Sequence, residues 1–342
     1  MSETTLDQTE VAAFGGRLFD MLNGAALTLM VGIGHQTGLF DTMARLAPSS
    51  SMEIAAAANL HERYVREWLG AMTMGKIVLY DPATATYRLP PEHAALLTRS
   101  AGIDNVAAEM QFIAMMGEVE QGIIHSFRDG GGVPYSQYPR FQAVMAESSA
   151  SVHDVNLINT ILPLVDGLVP ALESGIDVAA AFPNSRFRGY DFSEQGIAAA
   201  RNEARAKGLQ NAQFEAVDLS KLDEHEIYDL ITAFDVIHDQ AQPRRVLKAI
   251  FNALKPDGTF LMVDIKASSH LHENMDHPLA PYLYTVSTMH CMTVSLALGG
   301  EGLGTAWGKH KALELLAEAG FTQVEIREID GDVFNYYYIT RK

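Results

Sequence analysis

From residue 186 onward the chain alternates short apolar runs with helical stretches, and most of the early runs end in an acid. Arg186 to Asp191 reads as a strand, Glu194 to Lys207 as a helix closed by Gly208, and Ala212 to Val217 as a strand ending at Asp218. Tyr228 to Phe234 is a third strand, Arg244 to Leu254 a helix, and the Lys255-Pro256-Asp257-Gly258 turn leads into the strand Thr259 to Val263. Elements of this length in this order specify a parallel α/β sheet. After a helix over 309–319, the strands Gln323 to Glu328 and Val333 to Thr340 are joined too closely for a parallel crossover, so they pair antiparallel. In open sheets of this kind ligands bind beyond the carboxyl ends of the strands. Asp191 stands where an acid would accept from both ribose hydroxyls of an adenosine, and Asp218 where one would accept from the adenine amino group. Either acid alone would serve equally as a helix cap; the two together, followed by Leu254 to Gly258 and an apolar strand, favour a nucleoside site.

The first half is helical. Residues 11–46 hold small and apolar residues at helical spacing (Leu18, Met21, Leu22, Ala25, Leu29), which predicts one or two buried helices. Serine-capped Ser51 to Ala58 is followed by a helix with Val65, Trp68, Leu69 and Met72 on one stripe, then by a hairpin, Ile77 to Tyr80 with Tyr87 to Leu89. Helix, turn, helix and hairpin is the order of a winged helix. Residues 104–172 are helical, with Met110, Phe112, Met115, Met116, Phe127, Phe141 and Met145, broken by the loop Asp129 to Pro134. The expected organisation is a helical winged-helix-like dimerisation domain over 1–100, a helical linker and pocket wall over 101–172, and a catalytic domain over 173–342.

The stretches Gly189 to Ser193, Glu215 to Leu219, Phe234 to Asp239 and Leu254 to Thr259 resemble the later motifs of class I S-adenosylmethionine-dependent methyltransferases. Tyr64 to Leu69 and Tyr87 to Pro90 resemble the winged-helix domains fused to some of these enzymes, a group that includes chains labelled transcriptional regulators. The resemblance implies a Rossmann-like, seven-stranded sheet with an antiparallel last strand. It implies S-adenosylmethionine as cofactor and S-adenosylhomocysteine as product. Asp191, Phe192, Asp218, Leu219, Phe234 and Asp235 then fall in the cofactor motifs. His238 and Asp239 resemble the catalytic pair of small-molecule O-methyltransferases, His238 taking a proton from the acceptor hydroxyl. Residues 279–298 form an apolar insertion placed to cover a substrate. No metal is expected, because no ligand pair stands at suitable spacing.

One departure from that family concerns the glycine-rich loop after the first strand. Val178 runs directly into Ala179-Ala180-Ala181-Phe182-Pro183, and 15 steps separate Ile176 from Asp191. A strand–helix–strand unit takes roughly 30 residues. Either a segment is missing between Val178 and Ala179, or the chain has lost the cofactor loop; the expectation is the first, with Val178 ending the first strand and Ala179 in the next helix.

Composition limits the alternatives. The net charge of −17, with seven basic against ten acidic residues over 1–100, argues against broad nucleic-acid binding. That weighs against a DNA-binding regulator; a cofactor-sensing module without catalysis remains the other alternative. One cysteine, Cys291, fits a reducing, cytoplasmic setting. The first twenty residues lack a basic stretch before the apolar run, and Gly24 to Gly34 is too short to span a membrane, so neither a leader nor a membrane segment is expected. The expected partners are a small-molecule acceptor and, through the N-terminal helices, a second copy of the chain.

Overall fold

The computed structural model describes residues 6–145, 147–148, 157–165, 178–330 and 332–342. The chain forms two compact units, 1–117 with 143–152, and 118–142 with 153–342. The stretch 101–172 is therefore not a segment apart. Its first part, through helices α6 (Val106–Glu109) and α7 (Gln111–Gly117), packs in the first unit, whereas α8 (Glu120–Asp129) belongs to the second.

In the first unit, helix α1 (Gln8–Gln36) starts at Asp7, whose carboxylate accepts from the Thr9 and Glu10 amides. After α2 (Leu39–Met43), Ser50 and Glu53 form a reciprocal cap on α3 (Ser51–Ala58), satisfying backbone donors that would otherwise be orphaned. Helix α4 (Glu62–Met74) buries Val65, Trp68, Leu69 and Met72, the stripe expected from their spacing. Strands β1 (Leu79–Asp81) and β2 (Thr86–Arg88) pair antiparallel as the wing, and α5 (Pro91–Leu97) follows. Phe40 stacks edge-on against Trp68 at 5.1 Å in the centre of this core.

Two expectations about α1 are corrected. The helix is not buried: only Val31, Gly32, Gly34 and His35 are, while Leu18, Met21, Leu22 and Leu29 are exposed. Nor does the apolar run stop at Gly34. It belongs to one 29-residue helix, long and apolar enough to cross a bilayer. Helical spacing shows which residues share a face but not what covers that face.

In the second unit, α9 (Val178–Ala181) precedes strand β3 (Phe187–Asp191), α10 (Glu194–Ala206), β4 (Ala212–Ala216), β5 (Tyr228–Phe234), α11 (Pro243–Ala253) and β6 (Leu254–Ile265). The insertion carries α12 (Ala280–Val286), a π-helical turn Ser287–Cys291 and α13 (Met292–Ala297); α14 (Gly308–Ala319), β7 (Val324–Arg327) and β8 (Asn335–Arg341) end the unit. Strands β3 and β4 pair parallel. The other sheet has the order β5-β6-β8-β7, with β5 parallel to β6 and β8 antiparallel to both its neighbours, as the short link requires. Helices α11 and α14 cover one face over Phe260, Met262 and Tyr338; Phe182, Leu261 and Tyr337 form a core on the other.

The expected first strand is not found at Val178. Val178 opens the helical turn α9 together with Ala179, so the two are neighbours in one helix, which a run of three alanines favours. Ile176 and Asp177 lie outside the described residues. Among the described residues the unit has six strands, in ladders of two and four.

Candidate active site

Strand β5 ends at Phe234, and Asp235 follows in the left-handed region, φ 50°, a conformation uncommon without glycine. The chain then folds into the turn Ile237–Asp239, which places His238 in the interior, 3% exposed. Because β5 and β6 run parallel, with Phe234 opposite Val263, this turn and Asp264 meet at the same carboxyl edge. Asp264 is fully buried. Its Oδ1 accepts from His238 Nδ1 at 2.8 Å, from Trp307 Nε1 at 2.9 Å and from the Ile265 amide at 2.8 Å. A carboxylate can only accept, so Nδ1 carries the proton and Nε2 is left for other chemistry. Nε2 lies 3.3 Å from Asp239 Oδ1, an ion-pair separation without hydrogen-bond alignment. Asp239 Oδ2 accepts from the Tyr135 hydroxyl at 2.9 Å.

The electrostatics follow from three acids around one imidazole. Burial alone would lower the pKa of His238, but the carboxylates of Asp264 and Asp239 outweigh it and hold the ring well above its usual value. Burial, then the nearby Asp264 charge, pushes Asp235 up to about 7. Asp235 Oδ1, Asp264 Oδ2 and His290 Nε2 are buried without a hydrogen-bond partner. Buried polar atoms are rarely left so, which makes each of them a candidate contact for a polar ligand. Side-chain donor atoms of His238, Asp239 and Cys291 come within 4.8 Å of one another, as do those of Asp235, His238 and Asp264, which the sequence spacing did not reveal. Burial raises the Cys291 thiol to about 11, and Asp264 Oδ1 is already shared by three N–H donors. These groups form a proton-bearing network around the His238 imidazole.

The remaining expected site residues are distributed as follows. Asp191 ends β3 and Asp218 follows β4; the Val217 amide donates to the Asp191 carbonyl at 2.8 Å, so both acids stand at one edge. Each also makes a local turn. Asp191 Oδ1 accepts from the Ser193 amide at 2.7 Å, and Asp218 caps Leu219–Lys221 while pairing with Lys221 at 2.8 Å. Phe192 is 50% exposed, with its ring 5.4 Å from that of Tyr135. Leu219 and Phe234 are partly buried against the apolar cores. Tyr135 thus joins the two groups, its ring against Phe192 and its hydroxyl on Asp239.

Asp264 was legible, since it stands near the carboxyl end of an apolar strand, as Asp191 does. Tyr135, Trp307 and His290 were not: each reaches the site from a distant part of the chain. Within the second unit, the rings of Tyr135, Tyr138 and Phe141 pack around His290.

S-Adenosylmethionine fits this edge in two of its parts. The paired acids Asp191 and Asp218 suit the adenosine, and the unpartnered carboxylate oxygens of Asp235, Asp239 and Asp264 suit a sulfonium cation. The glycine-rich loop expected for the methionine part has no counterpart in the sequence from Val178 to Gly189.

Comparison with known proteins gives the same assignment. Residues 25–99 match the Rv2258c-like winged HTH domain and residues 174–320 match the Methyltransferase domain family. Over 90 residues the chain is 27% identical to a ubiquinone biosynthesis O-methyltransferase of Neisseria meningitidis serogroup C, a match covering 25% of this chain and 37% of that protein. The fold is shared with human N-acetylserotonin methyltransferase solved with SAM: TM-score 0.67, 17% identity, covering 100% of this chain and 99% of the other. It is also shared with the mitomycin 7-O-methyltransferase MmcR, with TM-score 0.67, 17% identity and coverage of 98% and 100%. The chain therefore carries an S-adenosylmethionine-dependent methyltransferase domain behind an N-terminal winged helix-turn-helix domain.

Proposed function

We propose that the chain transfers a methyl group from S-adenosylmethionine to a hydroxyl of a small-molecule acceptor, with His238 as general base. The names of the similar structures, a mitomycin 7-O-methyltransferase and an N-acetylserotonin methyltransferase among them, support the acceptor class. The single observation that carries the reading is the fixed imidazole: Asp264 and, through it, Trp307 hold His238 with its Nδ1 protonated at the carboxyl edge of the sheet. The cofactor, when bound, supplies an electrophilic methyl on a sulfonium. Asp191 and Asp218 bind its adenosine, and Phe192 and Tyr135 add apolar contact. His238 Nε2 receives the acceptor's proton, and Asp239, steadied by Tyr135, stabilises the imidazolium that results. Because those same acids hold the pKa of His238 high, the base becomes competent as pH rises.

The winged helix serves assembly in this reading. On the helix in the place of a recognition helix, Arg63 pairs with Glu67 and Arg66 with Glu62, so both cations are neutralised within α4. The exposed apolar face of α1 is the kind of surface that pairs with a second copy. The lone, buried Cys291 suits a reducing cytoplasm.

The test is His238→Ala, assayed for methyl transfer over an acceptor library and for S-adenosylhomocysteine binding by calorimetry. Turnover should fall by the general-base factor of about 10²–10⁴ while cofactor affinity holds. Full turnover in the variant would leave His238 a structural residue.

A further inference from the structure

His290 has no part in the reading above, yet it is the most unusual group near it. It sits on the π-helical turn Ser287–Cys291, a distortion frequent at functional sites. The ring is 3% exposed and enclosed by aromatics: Phe141 stacks on it at 4.1 Å and 11°, and Tyr135 and Tyr138 meet it edge-on at 5.1 and 4.9 Å. Its Nδ1 lies 3.6 Å from Cys291 Sγ. Its Nε2 is buried with no partner.

Two side chains tie His290 to the base. Cys291, which touches His290, also lies within 4.8 Å of the donor atoms of His238 and Asp239. Tyr135, which packs on the His290 ring, hydrogen-bonds Asp239. The His290 ring thus lies beside the group around His238, with its own Nε2 uncommitted to a hydrogen bond. Burial lowers the pKa of His290 to about 4, so at neutral pH this ring is uncharged, with one ring nitrogen an acceptor and the other a donor. Which nitrogen is which depends on the Cys291 contact. A hydroxyl can donate or accept and so satisfies Nε2 in either tautomer. The group that brings it must pack among aromatic rings, and Phe141, half-buried, holds the stacking position that a flat ligand ring would take.

We infer that His290 determines acceptor specificity, and that the acceptor is a planar aromatic with two neighbouring hydroxyls, one presented to His238 and one to His290. This rests on the methyl-transfer reading for the role of the first hydroxyl, but the binding preference is measurable without turnover.

The experiment titrates the full-length protein, saturated with S-adenosylhomocysteine, with 2,3-dihydroxynaphthalene, 2-naphthol and decahydro-2-naphthol. Binding is followed by saturation-transfer NMR and, for the arenes, by fluorescence. The diol should bind about tenfold more tightly than 2-naphthol, as one added hydrogen bond allows, and 2-naphthol more tightly than its puckered analogue. His290→Phe should abolish the diol preference with unchanged S-adenosylhomocysteine affinity, and His290→Gln, which keeps a hydrogen-bonding end, should restore part of it. Equal affinity for all three ligands, or a diol preference that survives in His290→Phe, overturns the inference; so does equal loss in the Phe and Gln variants. A preserved preference without methyl transfer to any hydroxyl would instead defeat the reading on which the first hydroxyl's role rests.

Discussion

Asp264→Asn separates the charge of this carboxylate from its shape. The carbonyl oxygen of asparagine can still accept from His238, Trp307 and the Ile265 amide, so the contacts at 2.8–2.9 Å remain available. The charge that stabilises the imidazolium is lost. Two unit charges at this separation attract by about 6 kcal/mol at an effective dielectric of about 20. Neighbouring opposite charges shift measured pKa values by about 1–3 units, so His238 should titrate lower by that amount. Asp235 should also fall below its value of about 7, because the Asp264 charge is the second cause of its elevation after burial. Stability carries a matching sign. A histidine raised in the folded state contributes stability that is complete below about pH 6.5 and lost as pH rises through the folded value. The variant lacks most of that contribution, so its stability should change less between pH 6.5 and the native His238 pKa. The assays are the ¹⁵N resonances of His238 followed against pH, and the pH dependence of methyl transfer. The limb on which activity rises should move to lower pH by about 1–3 units, with a lower plateau if the amide flips and selects the wrong tautomer. An unshifted His238 titration in Asp264→Asn would refute the claim that these carboxylates set its protonation.

Three other outcomes follow from local geometry. A Cβ on Gly132 would lie 1.9 Å from the Thr293 carbonyl oxygen and 2.6 Å from the Ala297 nitrogen, so Gly132→Ala should cost about 3 kcal/mol or more, visible as a large fall in Tm. His290, lowered to about 4 when folded, is protonated first in the unfolded chain. Denaturation in buffered urea should therefore show up to about 3 kcal/mol lost as pH falls from 6.5 to 4, and His290→Phe should remove that slope. Leu18→Glu with Leu22→Glu should convert a dimer to monomer by light scattering; a monomeric parent protein would show that α1 does not pair copies.

Much of the second unit was legible because its signals are local. β5 has the expected ends, α11 is displaced by one residue, and α10 stops at the glycine that closes it. Alternating apolar runs and turn residues suffice for that. The exposure of α1 was hidden, since its sequence describes an apolar face but not its cover. The tyrosine of the 130s loop, the histidine of the insertion and the histidine after β5 converge only through tertiary packing, and no spacing rule joins Tyr135, His238 and His290. Asp264 could have been found by extending to one more strand the rule that selected Asp191 and Asp218.

Among the described residues, side-chain hydrogen bonds tie the strands that carry the adenosine acids to those that carry His238 and Asp264. The adenosine acids stand on β3 and β4, while His238 and Asp264 stand on β5 and β6, and among the described residues no backbone ladder joins β3 to β5. Side chains provide the link. Glu224 accepts from Arg188 at 2.9 Å and from Tyr190 at 3.2 Å on β3, and from Tyr228 at 2.6 Å on β5; the two tyrosine hydroxyls are 3.0 Å apart. This bridge depends on one carboxylate. Glu224→Ala should cost about 1–3 kcal/mol by leaving the two half-buried hydroxyls without their acceptor. It should also let β3 and β4 open independently of β5 to β8. Native-state hydrogen exchange reads this directly: amides of Phe187–Asp191 and Ala212–Ala216 should lose protection, while those of Thr259–Ile265 keep it. S-Adenosylhomocysteine affinity should fall with that protection, because opening moves the adenosine acids away from the reacting edge. A uniform loss of protection across both sheets would show that they unfold as one body and that Glu224 is an ordinary stabilising contact.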